Sequence, residues 1–385
     1  MGSIAADTNT AIPELRWGIL GTGWISTMFV TDMLASSPSP PKAKHTIAAL
    51  GSSSLEKGNA FVEKLWHGKE GAGAPKPVVY ADYQGVYAAA DVDVVYVGTP
   101  HSLHKKNCLD AIAAGKHVLC EKPFTINEGE AREVVDAARR KGVFVMEAVW
   151  TRFSPLFTAL RSELIDKRSI GDVERFFFDF GNYMPLDSLP PTSRLRDPAL
   201  GAGALLDIGI YTLTYASLIM GDFKVGQAHP PLARVASSLS IVDGIDESNV
   251  IVLEYPTTTG GGSRTKTAIL SSTFRYRSAG DFARIEGSSG TITIFGRAGS
   301  LPDGFRVVEG PQPGFGEEDQ REVRTFNVER PEGALGFIWE ADAVAQDIAN
   351  GLTENAVMPL DESLRMMRLM DGIRKEGGLV YPQDN

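Results

Sequence analysis

Cysteine is almost absent: 385 residues contain only Cys108 and Cys120. Two thiols on a helix and a strand give neither a disulfide framework nor a metal-ligand spacing, and they suit a reducing compartment as small core residues. Basic runs are missing too, and the formal charge is −10, which argues against a nucleic-acid partner. No apolar run looks long enough to span a bilayer, so no membrane partner is expected. The stretch Met1-Gly2-Ser3-Ile4-Ala5-Ala6-Asp7 lacks the charged and apolar regions of a signal peptide. Its myristoylation-like start fails at Ala6, where serine or threonine is needed. A cytoplasmic chain with a flexible arm over residues 1–14 is the expectation.

What is present is ordinary globular composition, 43% hydrophobic and 22% charged, in a length that makes two or three domains. Residues 16–20 read as a short apolar strand, followed at once by Gly21-Thr22-Gly23-Trp24-Ile25-Ser26. This is the dinucleotide fingerprint with serine in its last, merely small, position. The first glycine permits a tight turn, and the second lets backbone N–H groups approach a pyrophosphate at a helix N-terminus. A second strand, residues 45–51, runs into Ser52-Ser53-Ser54 and Lys57, and no Asp or Glu stands between Asp32 and Glu56. A carboxylate there would repel a 2′-phosphate, whereas hydroxyls and an ammonium suit one, so NADP is favoured over NAD.

Strands and helices then alternate, as in a doubly wound parallel sheet. A core strand at 92–97 ends in Thr99-Pro100-His101 with His104 close behind. The two histidines lack a third ligand at sensible spacing, so no metal is expected and a cap or cofactor contact is preferred. The next strand, within Gly115-Lys116-His117-Val118-Leu119-Cys120-Glu121-Lys122-Pro123, ends in a carboxylate, an ammonium and a proline. Strand carboxyl ends face the ligand crevice in such sheets, so Glu121 and Lys122 are both expected to point into it. Asn127 caps the following helix, Glu130 completes a capping box, and Gly142 ends it.

The second half changes character. Residues 173–180, 250–255, 268–276, 282–286 and 291–295 read as strands joined by Gly-rich loops, with a hairpin tip at 257–263 and helices at 336–350 and 361–375. A largely antiparallel open sheet with one apolar face exposed points to a homodimer. In Gly203-Ala204-Leu205-Leu206-Asp207-Ile208-Gly209-Ile210-Tyr211, Asp207 and Tyr211 stand at i and i+4, one helical face. They can share a cleft, or the tyrosine can be a core residue bonded to its neighbour.

These motifs together resemble the glucose–fructose oxidoreductase/inositol dehydrogenase/MocA (Gfo/Idh/MocA) family, from about Leu15 to near the C-terminus. Glu147-Ala148-Val149-Trp150-Thr151-Arg152-Phe153 and Gly336-Phe337-Ile338-Trp339-Glu340-Ala341-Asp342 are similar to the branch of dimeric dihydrodiol dehydrogenases and fungal NADP-dependent D-xylose 1-dehydrogenases. The resemblance implies a Rossmann domain (15–149) and an α+β domain (150–385) for substrate binding and sheet-to-sheet oligomers. It implies Lys122 near nicotinamide and substrate, often cis-bonded to Pro123, with Tyr211 as general acid/base and Asp207 as a supporting, substrate-binding carboxylate. Within it we expect Thr99, Pro100, His101, His104, Glu121, Trp150 and Arg152 at the cofactor, and Trp150 also at the substrate. The arginine that many relatives carry where Ser53 stands is missing, and the loop 189–198 matches no pattern.

The chemistry implied is hydride exchange between NADP and a sugar, such as a D-xylose-like aldose oxidised at its anomeric carbon to a lactone. A free tyrosine, pKa about 10, is a poor base at neutral pH, so a neighbouring Lys122 ammonium is expected to favour tyrosinate. A trans-dihydrodiol dehydrogenase or dicarbonyl-sugar reductase would use the same groups. A non-catalytic NADP-binding regulator would need neither Lys122 nor Tyr211.

Overall fold

Strands apolar on both faces need cover on both faces, and the first half of the chain supplies it. The computed structural model describes residues 12–35, 41–68, 75–224, 232–256, 265–314, 316 and 319–384. Six strands, β1 (Glu14–Leu20), β2 (Lys44–Gly51), β3 (Val78–Tyr80), β4 (Val94–Val97), β5 (His117–Glu121) and β6 (Val145–Ala148), form one sheet in the order β3-β2-β1-β4-β5-β6. All neighbours are parallel. The intervening helices are α1 (Trp24–Leu34), α2 (Leu55–Trp66), α3 (Gln84–Ala88), α4 (His101–Ala113) and α5 (Glu128–Lys141). The order reverses between β1 and β4, which opens a crevice at their carboxyl ends. The expected Asn127 cap is present, its Oδ1 accepting from Glu130 N, and Ser54 caps α2, its Oγ accepting from Lys57 N. Gly142, at φ 69°, ends α5 in the left-handed conformation.

The second half contains α6 (Pro155–Arg161), β7 (Val173–Gly181), α7 (Ile210–Met220), then β8 (Arg234–Val242), β9 (Ile245–Pro256), β10 (Thr265–Thr273), β11 (Asp281–Gly287), β12 (Gly290–Ala298), β13 (Leu301–Glu309) and β14 (Val323–Asn327). Its eight strands lie in the order β14-β13-β12-β11-β7-β10-β9-β8. Only β7 and β10 pair in parallel. Strands β8, β13 and β14 were not foreseen. β8 and β14 are half-exposed edges with little apolar alternation, and β13 carries Pro302 and Gly304, which obscure its pattern. The hairpin tip expected at 257–263 lies outside the described residues, as does most of the expected arm.

Helix α7 packs across β7 and β10 and covers one face of this sheet. The other face is mixed rather than apolar, which corrects the expectation. Val250 is 49% exposed, but the Arg175 and Arg284 guanidinium groups each lie 5.0 Å from the Phe177 ring. Contrary to the sequence reading, one stretch, Pro198–Met220, is long and apolar enough to cross a membrane. Its qualifying 18-residue window is buried inside the protein, where α7 packs against β7 and β10 as a core helix. Helices α8 (Phe337–Ala349) and α9 (Leu360–Gly377) return to the first domain, α8 against α1 and α9 against α5. Asp32 of α1 fixes that return by accepting the N–H groups of Leu335, Gly336 and Phe337 at the start of α8.

Candidate active site

The glycine loop has the shape its sequence demands. Gly21 adopts φ +89°, where a side chain would be strained, and a Cβ there would lie 3.2 Å from the Gly98 carbonyl. Gly23 is different: a Cβ would meet nothing within 4 Å, so the start of α1 faces open space. The first-turn N–H groups of Trp24 and Ile25 have no intrahelical acceptors and suit an anion. Ser26 is buried against Gly98, where an added Cβ would come within 2.4 Å of its hydroxyl. The small third position thus sets the approach of α1 to β4. Beyond β2, Ser53 and Lys57 are exposed and joined, Nζ to Oγ 3.3 Å, while Ser54 is spent on the cap. Ser52 is buried and cannot reach a ligand. The open helix start and the Ser53–Lys57 pair fit a dinucleotide with an extra phosphate.

Two strands from the glycine loop, about 10 Å across the sheet, lies the turn after β5. Its peptide bond Lys122–Pro123 is cis. The turn is clamped on both sides, by a His104 ring nitrogen 2.9 Å from the Pro123 carbonyl and by Glu147 Oε1, which accepts from Phe124 N at 2.9 Å. The other His104 nitrogen meets the Thr99 carbonyl at 2.9 Å. His104 is therefore a fully buried strut between the Thr99–Pro100 rim and the lysine turn rather than a cofactor contact. Thr99 Oγ1 accepts from Asn107 within the same rim. His101 bonds the Gly201 carbonyl at 3.0 Å, and burial pulls its pKa down to about 3, so the ring is neutral.

Glu121 and Lys122 do not share a direction, because neighbouring strand residues alternate faces. Glu121 turns inward and accepts from Tyr96 Oη at 2.6 Å; burial pushes its pKa up to about 7. Lys122 reaches across the cleft to the second domain. Its Nζ donates to Asp207 Oδ1 at 2.9 Å and to the Asp207 carbonyl at 2.6 Å. Asp207 stands on a π-helical turn, Leu205–Gly209, that runs directly into α7. Tyr211 follows on the same side, with the Lys122 ammonium 5.1 Å from its ring centre.

The electrostatics differ from the sequence expectation. Burial opposes ionisation of Asp207, yet Lys122 and Arg194 together hold its carboxyl well below the usual range. Burial and then the Glu121 charge raise the Tyr211 phenol well above its ordinary value, and the Trp150 N–H works against them. Lys122 lies over the ring and is paired with Asp207, so it does not act as the expected counter-ion of the phenol oxygen.

Trp150 is at the site, with Nε1 2.9 Å from Tyr211 Oη. Arg152 is not. It sits two residues along a 3₁₀ turn, Trp150–Phe153, about 240° further round. There it is buried against Glu362 at 2.5 Å and the Val357 carbonyl. One residue the sequence left open does arrive: Arg194, 46% exposed in its side chain, lies 3.7 Å from Asp207 Oδ2. The sequence does not single out Tyr96, and it marks Glu147 and the buried Glu340, whose two oxygens have no hydrogen-bond partner among the described residues, only as parts of family motifs. Tyr96 and Glu147 are single polar residues in apolar strands and Glu340 lies near Asp342 on α8, signals that mark no direction.

Comparison with known proteins agrees with this architecture. Residues 15–149 match the model of the Gfo/Idh/MocA oxidoreductase family with its NAD-binding Rossmann fold, and residues 159–300 match the Gfo/Idh/MocA C-terminal domain. The chain is 32% identical over 383 residues to the D-xylose 1-dehydrogenase (NADP(+)) of Hypocrea jecorina, covering 96% of this chain and 93% of that one. It is 32% identical over 378 residues to the trans-1,2-dihydrobenzene-1,2-diol dehydrogenase of Bos taurus, covering 96% and 99%. The fold is also that of levoglucosan dehydrogenase, with a TM-score of 0.75 at 20% identity over 96% of this chain and 100% of that one. The aldose-aldose oxidoreductase of Caulobacter crescentus gives 0.74 at 24% identity over 95% and 98%. With its parallel nucleotide-binding sheet, open second sheet and family match over both halves, the chain belongs to the Gfo/Idh/MocA oxidoreductases.

Proposed function

We propose that this oxidoreductase is an NADP-dependent sugar dehydrogenase that oxidises the anomeric carbon of a D-xylose-like aldose to a lactone. The observation that carries the reading is the Lys122–Asp207–Tyr211 group, two strands from the glycine loop after β1, with Ser53 and Lys57 at the end of the neighbouring β2. In this reading the domain 15–149 holds the cofactor and the domain 150–385 presents the substrate. Gly21, Thr22, Gly23, Trp24 and Ile25 cradle the pyrophosphate, and Ser53 with Lys57 takes the 2′-phosphate. NADP, when bound, accepts or returns the hydride.

The chain's own residues handle the proton. Lys122 has three N–H donors, and Asp207 takes two, which leaves the third for the substrate oxygen. Asp207 thereby fixes where that donor points. Tyr211 exchanges the proton: its phenolate removes the O–H proton as hydride leaves the same carbon, and its phenol returns the proton in reduction. Because burial keeps the phenol protonated at neutral pH, oxidation should speed up as pH rises. Arg194 at the mouth can meet further hydroxyls.

A screen of aldoses and diols, read as NADP⁺ reduction at 340 nm, tests the proposal, and D-xylose should be among the best substrates. Tyr211→Phe removes the transferable proton but keeps the ring, so kcat should fall by about 10²-fold or more with NADP binding intact. An unaltered rate would make the tyrosine a core residue. The similarity to the Bos taurus enzyme sustains a second reading, oxidation of trans-dihydrodiols at the same site. Tight NADP binding without turnover of any sugar or diol would instead favour a regulator.

A further inference from the structure

The structure assigns Trp150 a positioning role: we propose that its indole N–H binds the Tyr211 oxygen and stabilises it as the proton leaves. The inference rests on Tyr211 being the acid/base group. Indole nitrogen only donates, so at 2.9 Å the Tyr211 oxygen must accept. No other hydrogen bond joins that oxygen among the described residues, so the phenol proton is free to point into the cleft. A charged acceptor is held roughly twice as strongly as a neutral one. The bond therefore strengthens as tyrosinate forms, which is the condition for speeding a reaction rather than merely binding.

The surroundings leave this task to Trp150. Lys122, whose ammonium lies 5.1 Å from the ring centre, is paired with Asp207. Glu121 from β5 and Glu340 from α8 face the phenol as well, and both disfavour its anion. The indole is also fixed. It stacks on Phe337 at 4.5 Å and 17°, and Phe337 opens α8, whose first N–H groups are tied to Asp32 of α1. A chain of contacts thus runs from the helix behind the glycine loop to the oxygen of Tyr211, and holds the donor in register with the cofactor domain.

Trp150→Phe keeps an aromatic ring for Phe337 and deletes the donor. Its kcat for oxidation should fall by about tenfold, with KM changed by less than about twofold. The rising limb of the pH profile for oxidation should move up by about one unit, the equivalent of that tenfold loss. In a Tyr211→Phe background the same change should add nothing. A ring-fluorinated tyrosine at 211, titrated by fluorine NMR without substrate, gives an independent reading; Trp150→Phe should raise its midpoint. That titration can succeed even where the substrate assignment fails. A benzothiophene analogue at 150, with sulfur in place of N–H, repeats the test without a change of shape should Trp150→Phe unfold. An unmoved fluorotyrosine titration, or a rise in KM at constant kcat, would overturn the assignment.

Discussion

Asp207→Asn is the most informative single change, because it removes one charge from the pair that joins the two domains. Lys122 and Asp207 keep only 11% and 12% of their side chains exposed. Removing one partner of a buried pair costs about 3–5 kcal/mol, since the other charge is left without compensation. Asparagine retains a neutral acceptor, and the Asp207 carbonyl still holds Nζ at 2.6 Å, so about 2–3 kcal/mol is expected here. The pH dependence has a definite sign. The folded Asp207 carboxyl lies below its ordinary range because Lys122 and Arg194 outweigh burial. In the unfolded chain an aspartate titrates near pH ~3.9. Its stabilisation is therefore complete above that pH and is lost as pH falls towards the folded value. Urea unfolding of both proteins at pH 7, 5 and 3 should show a gap between them that is constant at the first two and narrower at the third. Equal midpoints at pH 7, or a gap that widens at pH 3, would refute the reasoning.

Other outcomes follow from the same geometry. Ser53→Asp places a carboxylate beside Lys57, so NADP binding should weaken far more than NAD binding; equal kcat/KM for the two cofactors in the parent would oppose the assignment. Gly98→Ala forces a methyl group to within 2.4 Å of Ser26 Oγ and 2.8 Å of the Tyr96 ring. It should cost about 1–3 kcal/mol by overpacking and raise the dissociation constant for NADP as α1 shifts, both measurable by thermal unfolding with and without cofactor. Pairing of two copies through the open face of the second sheet predicts light scattering at twice 41.5 kDa at micromolar concentration, and a monomer would contradict it.

Local order was legible where one residue type has one use. The fingerprint before α1, the Asn127 cap and the Gly142 stop depend on near neighbours, and all three formed where the residues stood. The parallel sheet could be read from apolar strands alternating with helices, and the absence of any carboxylate between Asp32 and Glu56 pointed to a phosphate-tolerant pocket. Edge strands β8 and β14 were missed because an exposed edge imposes little apolar alternation.

The site itself was decided at longer range. The sequence determined that Lys122 ends a strand and that Asp207 and Tyr211 share a helical side; it did not determine who partners whom. Tertiary structure brought Asp207 to Lys122 across 85 positions and Trp150 to Tyr211 across 61. It turned Arg152 away to Glu362 and used His104 as a strut. The reason is that a charge or donor in a buried place is defined by the groups that replace its water, and those groups come from whatever elements the fold packs around it. Chain neighbours set which residues can face the cleft; packing set which of them could influence the phenol oxygen.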